Sequence, residues 1–284
     1  MTTSRKFTAR PFVLHEANYK QLQELQPNLA VLPWGATEAH NYHLPHGTDV
    51  TEANGLGERA VERANEQGAR CVLLPCVPFG IDHSQTASQV ATITMRASTQ
   101  QAVLRDVAES LVRQGIDRLV LLNFHGGNDF RSMIRDVAFD LPIFIVQVNG
   151  YEVADAKHVL DDQGGDHANE FETCLLLHLA PEWVAPLETA GDGAFTKSEL
   201  PALSSTPGVW FSRDWPAFTK DTGVGNPKQA TAEKGRKVMD LLVDGLAPVL
   251  VELSRARPGQ FPFIIRNRAQ DAGGRDQRGN RCAL

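Results

Sequence analysis

Seventeen residues near the start of this chain, Pro33–Asp49, carry one glutamate, three histidines and one aspartate directly behind the apolar run Leu29–Leu32. They are Glu38, His40, His43, His46 and Asp49. Glutamate, histidine and aspartate without cysteine form the ligand set of hydrolytic zinc, manganese and iron centres. In an extended segment, residues two apart project to one face, so Glu38 and His40 can converge on a single point. Asp49, beyond the Pro45-His46-Gly47 turn, can close the same pocket from the side. The competing reading is a polar surface loop that happens to be rich in histidine. For one histidine that reading would prevail.

Two further clusters shift the balance. Asn123-Phe124-His125-Gly126-Gly127-Asn128-Asp129 is a strand end, a histidine, and two glycines that permit a sharp turn. Alone it fits a plain strand-to-helix turn as well as a site. A phosphate-binding reading is weak, because neither a GxGxxG nor a GK[ST] frame surrounds the glycines. The third cluster, Gly165-Asp166-His167-Ala168-Asn169-Glu170-Phe171-Glu172-Thr173-Cys174, opens a helical pattern. Acidic residues in a first turn also complement the helix dipole. Glu170 and Glu172 lie about 200° apart on a helix, so only one can face a shared pocket; composition does not choose between them.

The elements around these clusters explain how they could meet. Leu29–Leu32, Cys71–Leu74, Arg118–Asn123 and Ile143–Val148 read as buried strands. Helical patterns fall at about Val50–Gln67, Thr99–Gln114 and Asp129–Phe139. Ser98-Thr99-Gln100-Gln101 is suited to cap the second of these, and Gly115 to end it. Strands alternating with helices imply right-handed crossovers and a mostly parallel sheet, an α/β three-layer αβα sandwich. Ligands bind outside the carboxyl ends of such strands. The first two clusters follow the first and third strands immediately.

Further along, a helix is expected over Glu170–Leu179, ending before Pro181. The stretch 189–222, with Pro201, Pro207, Pro216, Trp210 and Trp215, reads as an irregular excursion able to cover the site. Asn226-Pro227-Lys228-Gln229 reads as a helix start. That helix should break near Gly245 and Pro248 and resume to about Ala256. The tail 271–284, rich in Gly, Arg and Asp, reads as disordered. A single domain spanning 1–284 is expected.

Bulk properties narrow the class. With 34 acidic against 28 basic residues and no basic block, nucleic acid and anionic membrane are unfavoured partners. No apolar run is long enough to span a bilayer, and no secretory signal is evident. The four cysteines form no CxxC pair, so reduced thiols in a cytoplasmic protein are the expectation.

Taken together, the three clusters resemble the creatininase family of metal-dependent amidohydrolases. The family pattern is approximately GSxExHGxHLPxxTD, then GHGGN, then HAGxxETS. Pro78-Phe79-Gly80-Ile81-Asp82-His83-Ser84, Thr222-Gly223-Val224-Gly225-Asn226-Pro227 and Ala230-Thr231-Ala232-Glu233-Lys234-Gly235 resemble further family segments. The likeness covers about 28–240. It implies Glu38, His40, Asp49, His125 and Glu172 as ligands of two divalent ions, zinc or manganese with iron as an alternative. Asp49 would bridge them, and His167 would be the catalytic histidine. In creatininase itself a ligating glutamate stands two residues after the third-strand histidine; here that position is Gly127, and Glu172 would take its place. Phe124, Ala36, Asn41 and Cys174 also depart from the pattern, and Val90-Ala91-Thr92 stands where Pro-Gly-Thr is usual. These departures fall on the substrate pocket, so a small amide other than creatinine is expected. The resemblance also implies a homo-oligomer, often a hexamer.

Two ions about 3.5–4 Å apart lower the pKa of a bridging water toward 7, giving a hydroxide that attacks a carbonyl carbon. His167 would then protonate the leaving nitrogen. The expected activity is hydrolysis of a C–N bond in a small cyclic or linear amide. Another carbonyl substrate on the same site, or a non-catalytic metal- or small-molecule-binding protein, are the alternatives. Of the remaining residues, His43 and His46 are expected to shape the turn, and His83 to approach the pocket. His178, Trp34 and Cys174 are expected to pack in or beside the core.

Overall fold

The computed structural model describes residues 9–162 and 164–257. Four strands, β1 (Leu29–Trp34), β2 (Cys71–Leu73), β3 (Arg118–Asn123) and β4 (Phe144–Asn149), form one sheet in the order β2-β1-β3-β4. All three pairings are parallel. Leu29 stands opposite both Cys71 and Arg118, and Trp34 opposite Asn123. Every residue of β1 and β3 is buried, which is why both read as unbroken apolar runs rather than alternating ones.

The two faces are covered by different helices, giving the three-layer sandwich. Alternate strand residues point to opposite sides. Leu29, Val31, Val120 and Leu122 enter one core with side chains of α2 (Thr48–Glu66), α5 (Glu170–Leu179) and α8 (Ala232–Arg255). Ala30, Leu32, Leu119 and Leu121 enter the other with α3 (Ala97–Arg113) and α4 (Arg131–Asp140). A short helix, α1 (Tyr19–Leu25), closes that side near the β2 edge. It was not evident in the sequence: it buries no residue and is held by a capping box between Asn18 and Gln21.

Three boundaries differ from the sequence reading. Ser98 lies inside α3, whose N-cap is Arg96 without a side-chain bond, whereas Gly115 follows its end with the expected positive φ of 80°. Asn226 bonds the Lys228 backbone amide in a local turn, and the α8 cap is Thr231, bonded to Lys234 N. Finally, α8 runs unbroken through Gly245 and Pro248. A proline inside a helix costs about 3 kcal/mol. Beyond it the helix buries Leu250 and Val251, each contributing about 1.5–3 kcal/mol. Ser254 also bonds Asn28 and the Arg70 amide. Burial therefore matches or exceeds the local cost, and the helix continues.

The excursion 189–222 contains only two short helices, α6 (Pro201–Ser205) and α7 (Trp215–Phe218). An isolated bridge from Phe195 to Thr219 draws its two ends together. No described helix is long and apolar enough to cross a membrane. The tail 271–284 lies outside the described residues.

Candidate metal centre

The loop leaving β1 delivers Glu38 and His40 in extended backbone, and the first turn of α2 delivers Asp49. His125 follows β3. The Asn123 side chain holds its turn at both ends, accepting from the His125 amide (3.2 Å) and donating to the His125 carbonyl (2.9 Å). Across the cleft, His167 pairs through its backbone with Val224, and Ala168 adopts a left-handed φ of 49° before α5 begins. Asn169 caps α5 by accepting from Glu172 N.

These turns bring all six expected residues together. Asp49 is shared. Its Oδ1 lies 2.8 Å from His40 Nε2, and its Oδ2 lies 3.1 Å from His125 Nδ1. Glu38 Oε1 is 2.8 Å from His125 Nδ1, and Glu172 Oε2 is 3.8 Å from His40 Nε2. Three groups of candidate ligands have donor atoms within 4.8 Å of one another: Glu38–Asp49–His125 and His40–Asp49–Glu172, which share Asp49, and Glu38–His40–His167. His167 Nδ1 stands 3.8 Å from Glu38 Oε1, and its ring centroid is 4.1 Å from that of His40. Glu170 and Glu172 diverge as the helical period requires. Glu170 is fully buried against Lys234 of α8, and Glu172 faces the site.

Each histidine ties one ring nitrogen to the protein and turns the other inward. His40 Nδ1 meets the Glu38 carbonyl at 3.1 Å, His167 Nε2 the Ala39 carbonyl at 2.9 Å, and His125 Nε2 the Asp82 carboxylate at 3.0 Å. Such anchoring fixes tautomer and ring orientation. Gly127 explains why no ligand comes from that position. A Cβ there would sit 2.4 Å from His125 Nε2 and 2.6 Å from the Ile81 carbonyl. The space a ligating side chain would need is filled by His125 itself.

The electrostatics fit a cation. Buried carboxylates are costly unless compensated, and here Glu38, Asp49, Glu52 and Asp82 are all buried with Glu172 beside them. Burial opposes charge on Glu38 and Asp49, yet the neighbouring histidines pull both below the usual carboxylate range. Burial likewise opposes protonation of His40, but Asp49, Glu172 and Glu38 hold it up at about 10. His125 is raised for the same reason, by Glu38, Asp49 and Asp82. In this form ring protons supply the positive charge. His40 Nε2 and Asp49 Oδ1 stand 2.8 Å apart as a buried ion pair. A divalent ion would take the place of the proton between them. Glu38, His40, Asp49, His125 and Glu172 thus suit divalent ions with nitrogen and oxygen preference.

The site opens into a cavity of about 400 Å³ lined by Glu38, His125 and His167 at its floor and Trp210, Phe211, Arg213 and Trp215 from the excursion. Trp215 meets the His167 ring edge-on, 4.9 Å between centroids. His83 is exposed on the rim, bonded to Thr94. His43 lies behind the site against Thr173, and His46 bonds the Val90 carbonyl. Trp34 packs on Phe130 in the core. Cys174 is buried, and burial pushes its thiol up to about 11, so it is no nucleophile.

Asp82, Gln85 and Glu52 were not singled out in the sequence. Asp82 and Gln85 follow β2 on the same carboxyl edge of the sheet as the recognised clusters, which is the signal that could have found them. Glu52, one turn beyond Asp49 on α2, has both oxygens buried and unpartnered, and burial with the charges of Glu172 and Asp49 raises it well above the ordinary range.

A parallel-sheet sandwich with paired ligand trios at its carboxyl edge defines a metal-dependent hydrolase scaffold. The family model described as creatininase, creatinine amidohydrolase, matches residues 15–250, and the chain belongs to the creatininase family of hydrolases acting on C–N bonds. A mycofactocin precursor peptide peptidase of Mycobacterium ulcerans (strain Agy99) is 30% identical over 233 residues, covering 79% of this chain and 84% of that one. A 3-dehydro-scyllo-inosose hydrolase of Thermotoga maritima is 23% identical over 273 residues, covering 86% and 84%. The crystal structure of a Bacteroides fragilis protein described as a creatinine amidohydrolase superposes with a TM-score of 0.82 at 38% identity, covering 88% of this chain and 99% of that one. Creatininase structures of Zn–Zn and Mn types share the fold, with TM-scores of 0.72 and 0.70 at 21% identity, each covering 87% of this chain and 100% of theirs.

Proposed function

We propose that this chain hydrolyses a C–N bond of a small cyclic or linear amide at a two-ion centre held by Glu38, His40, Asp49, His125 and Glu172. The observation that carries this reading is the position of Asp49, whose two oxygens face different histidines in two separate ligand trios. Bound divalent ions of this kind, zinc or manganese by likeness to the creatininase structures, supply Lewis acidity that activates water near neutral pH and polarises a carbonyl.

The protein's own groups do the rest. His167 commits Nε2 to the Ala39 carbonyl, so the proton it exchanges sits on Nδ1, the nitrogen facing the cavity. From there it can protonate a leaving nitrogen as general acid. Trp215 and Trp210 line one side, and the cavity volume suits a substrate no larger than a short peptide or a substituted ring. Gly126, where a Cβ would meet nothing within 4 Å, leaves room on the floor beside His125.

A second reading has support from the Thermotoga maritima relative, whose name gives a carbocyclic carbonyl substrate rather than an amide. The same residues would then act on another carbonyl compound. Metal analysis of native and Asp49→Ala protein tests the centre, and a screen of lactams, formamides, short peptides and cyclic ketones on the metal-loaded protein separates the two readings. Hydrolysis of the ketones alone would overturn the amide assignment. A protein that takes up no divalent ion would overturn both.

A further inference from the structure

The ring of His125 is gripped from behind. Its Nδ1 faces Glu38 and Asp49, while its Nε2 lies 3.0 Å from Asp82 Oδ1 and 3.3 Å from the Ile81 carbonyl. Asp82 is fully buried, and its backbone is fixed in turn: its amide donates to Thr94 Oγ1, and the Ile81 amide donates to Asn128 Oδ1. Gly80 gives the ring room to enter, since a Cβ there would stand 2.5 Å from His125 Cδ2. Gln85 completes the arrangement. Its Nε2 donates to Glu38 Oε2 at 3.1 Å and to Asp82 Oδ1 at 3.4 Å. The segment after β2 therefore touches Glu38 and His125, both in one ligand trio. Among the described residues, no bond links it to His40 or Glu172, which share the other Asp49 trio.

We propose that Asp82 is a positioning residue for one of the two ions: it accepts the Nε2 proton of His125, fixes Nδ1 toward the centre, and selectively strengthens the ion held by Glu38, Asp49 and His125. The assignment rests on the two-ion reading above. A carboxylate behind a ligating imidazole fixes its tautomer and raises its basicity, and removing such a partner typically costs about 10–100-fold in metal affinity. Sequence likeness does not supply this role, because within the segment 78–84 it points only to His83.

The experiment is chelator-competition titration of stripped wild-type, Asp82→Asn and Asp82→Ala proteins with Co²⁺ and Zn²⁺, alongside thermal unfolding of each stripped protein. Asp82→Asn keeps the size of the side chain and an acceptor oxygen, so it guards against simple misfolding. One ion is expected to weaken by about 10–100-fold in Asp82→Ala and by less in Asp82→Asn, with the other ion within about twofold of wild type. Equal weakening of both ions, or weakening that only follows a lowered melting temperature, would assign Asp82 a general structural role and overturn the proposal. Unchanged affinities would overturn it as well. Wild-type protein that binds fewer than two ions sinks the two-ion reading before any variant is compared, so the two failures are distinguishable.

Discussion

Asp49 Oδ1 and His40 Nε2 stand 2.8 Å apart as an ion pair sealed from solvent. Since the other oxygen of Asp49 faces His125, this one carboxylate joins the trio of Glu38 and His125 to that of His40 and Glu172. Asp49→Ala is therefore expected to lose both ions and all turnover, whereas Glu172→Gln should lose one and keep the other. Elemental analysis after gel filtration checks this. Retention of a full metal complement by Asp49→Ala would remove the bridge from the account.

His167 groups with Glu38 and His40 but not with Asp49, and its Nε2 lies against the Ala39 carbonyl. His167→Ala should bind metal as the native protein does. Its kcat should fall by about 10²–10⁴-fold, the usual worth of a positioned general acid. Substrates with better leaving groups should be less affected, because they need less protonation. A variant with full kcat on a poor leaving group would strip His167 of that role.

Much of this centre was legible because its residues follow strand ends. Continuous apolar runs marked β1 and β3, so the polar residues directly behind them had to share an edge. The orientation of Glu172 over Glu170 was not legible from composition or helical period; only the family likeness pointed to Glu172. That orientation depends on Lys234, 64 residues away, which takes Glu170 as its partner. Asp82 escaped notice for a related reason: its meaning comes from a contact with His125, and β2, which it follows, is only three residues long. The unbroken course of α8 through Pro248 was misread because local propensity was weighed without the burial beyond it.

The roof of the cavity should tune affinity more than chemistry. Arg213 grips both oxygens of Asp166, at 2.9 and 2.6 Å, but the two side chains are 41% and 52% exposed. Exposed pairs of this kind contribute about 0–1 kcal/mol. Arg213→Ala is thus expected to raise KM by no more than about fivefold and to do so less at high salt. Trp215 is different, since its ring packs edge-on against His167. An aromatic contact of that geometry contributes about 0.5–1.5 kcal/mol, so Trp215→Ala should lower kcat/KM by up to about tenfold with kcat sharing the loss. Steady-state kinetics on the two variants decide the point, and a larger kcat defect in Arg213→Ala would contradict it.

Metal loading should change how stability depends on pH. Without ions, His40 is held up at about 10 against an ordinary 6.5, its carboxylate neighbours outweighing burial. Glu52 and Glu172 are raised too, in both cases chiefly by burial. A group whose folded pKa exceeds its unfolded value stabilises the fold fully below the unfolded value and loses that contribution as pH rises through the folded one. For His40 the contribution is complete below pH 6.5 and fades toward pH 10. The raised carboxyls act in the same direction, because they favour the protonated form. Divalent ions displace these protons and make the loaded protein independent of them. The melting temperature of stripped protein should therefore fall from about pH 6.5 to about pH 9 while that of loaded protein holds, widening the gap. Apparent metal affinity should climb over the same window, by up to about tenfold per pH unit for each proton displaced. Scanning calorimetry of both forms across the window measures it, and a gap that narrows with rising pH would mean that protons and ions do not compete for His40.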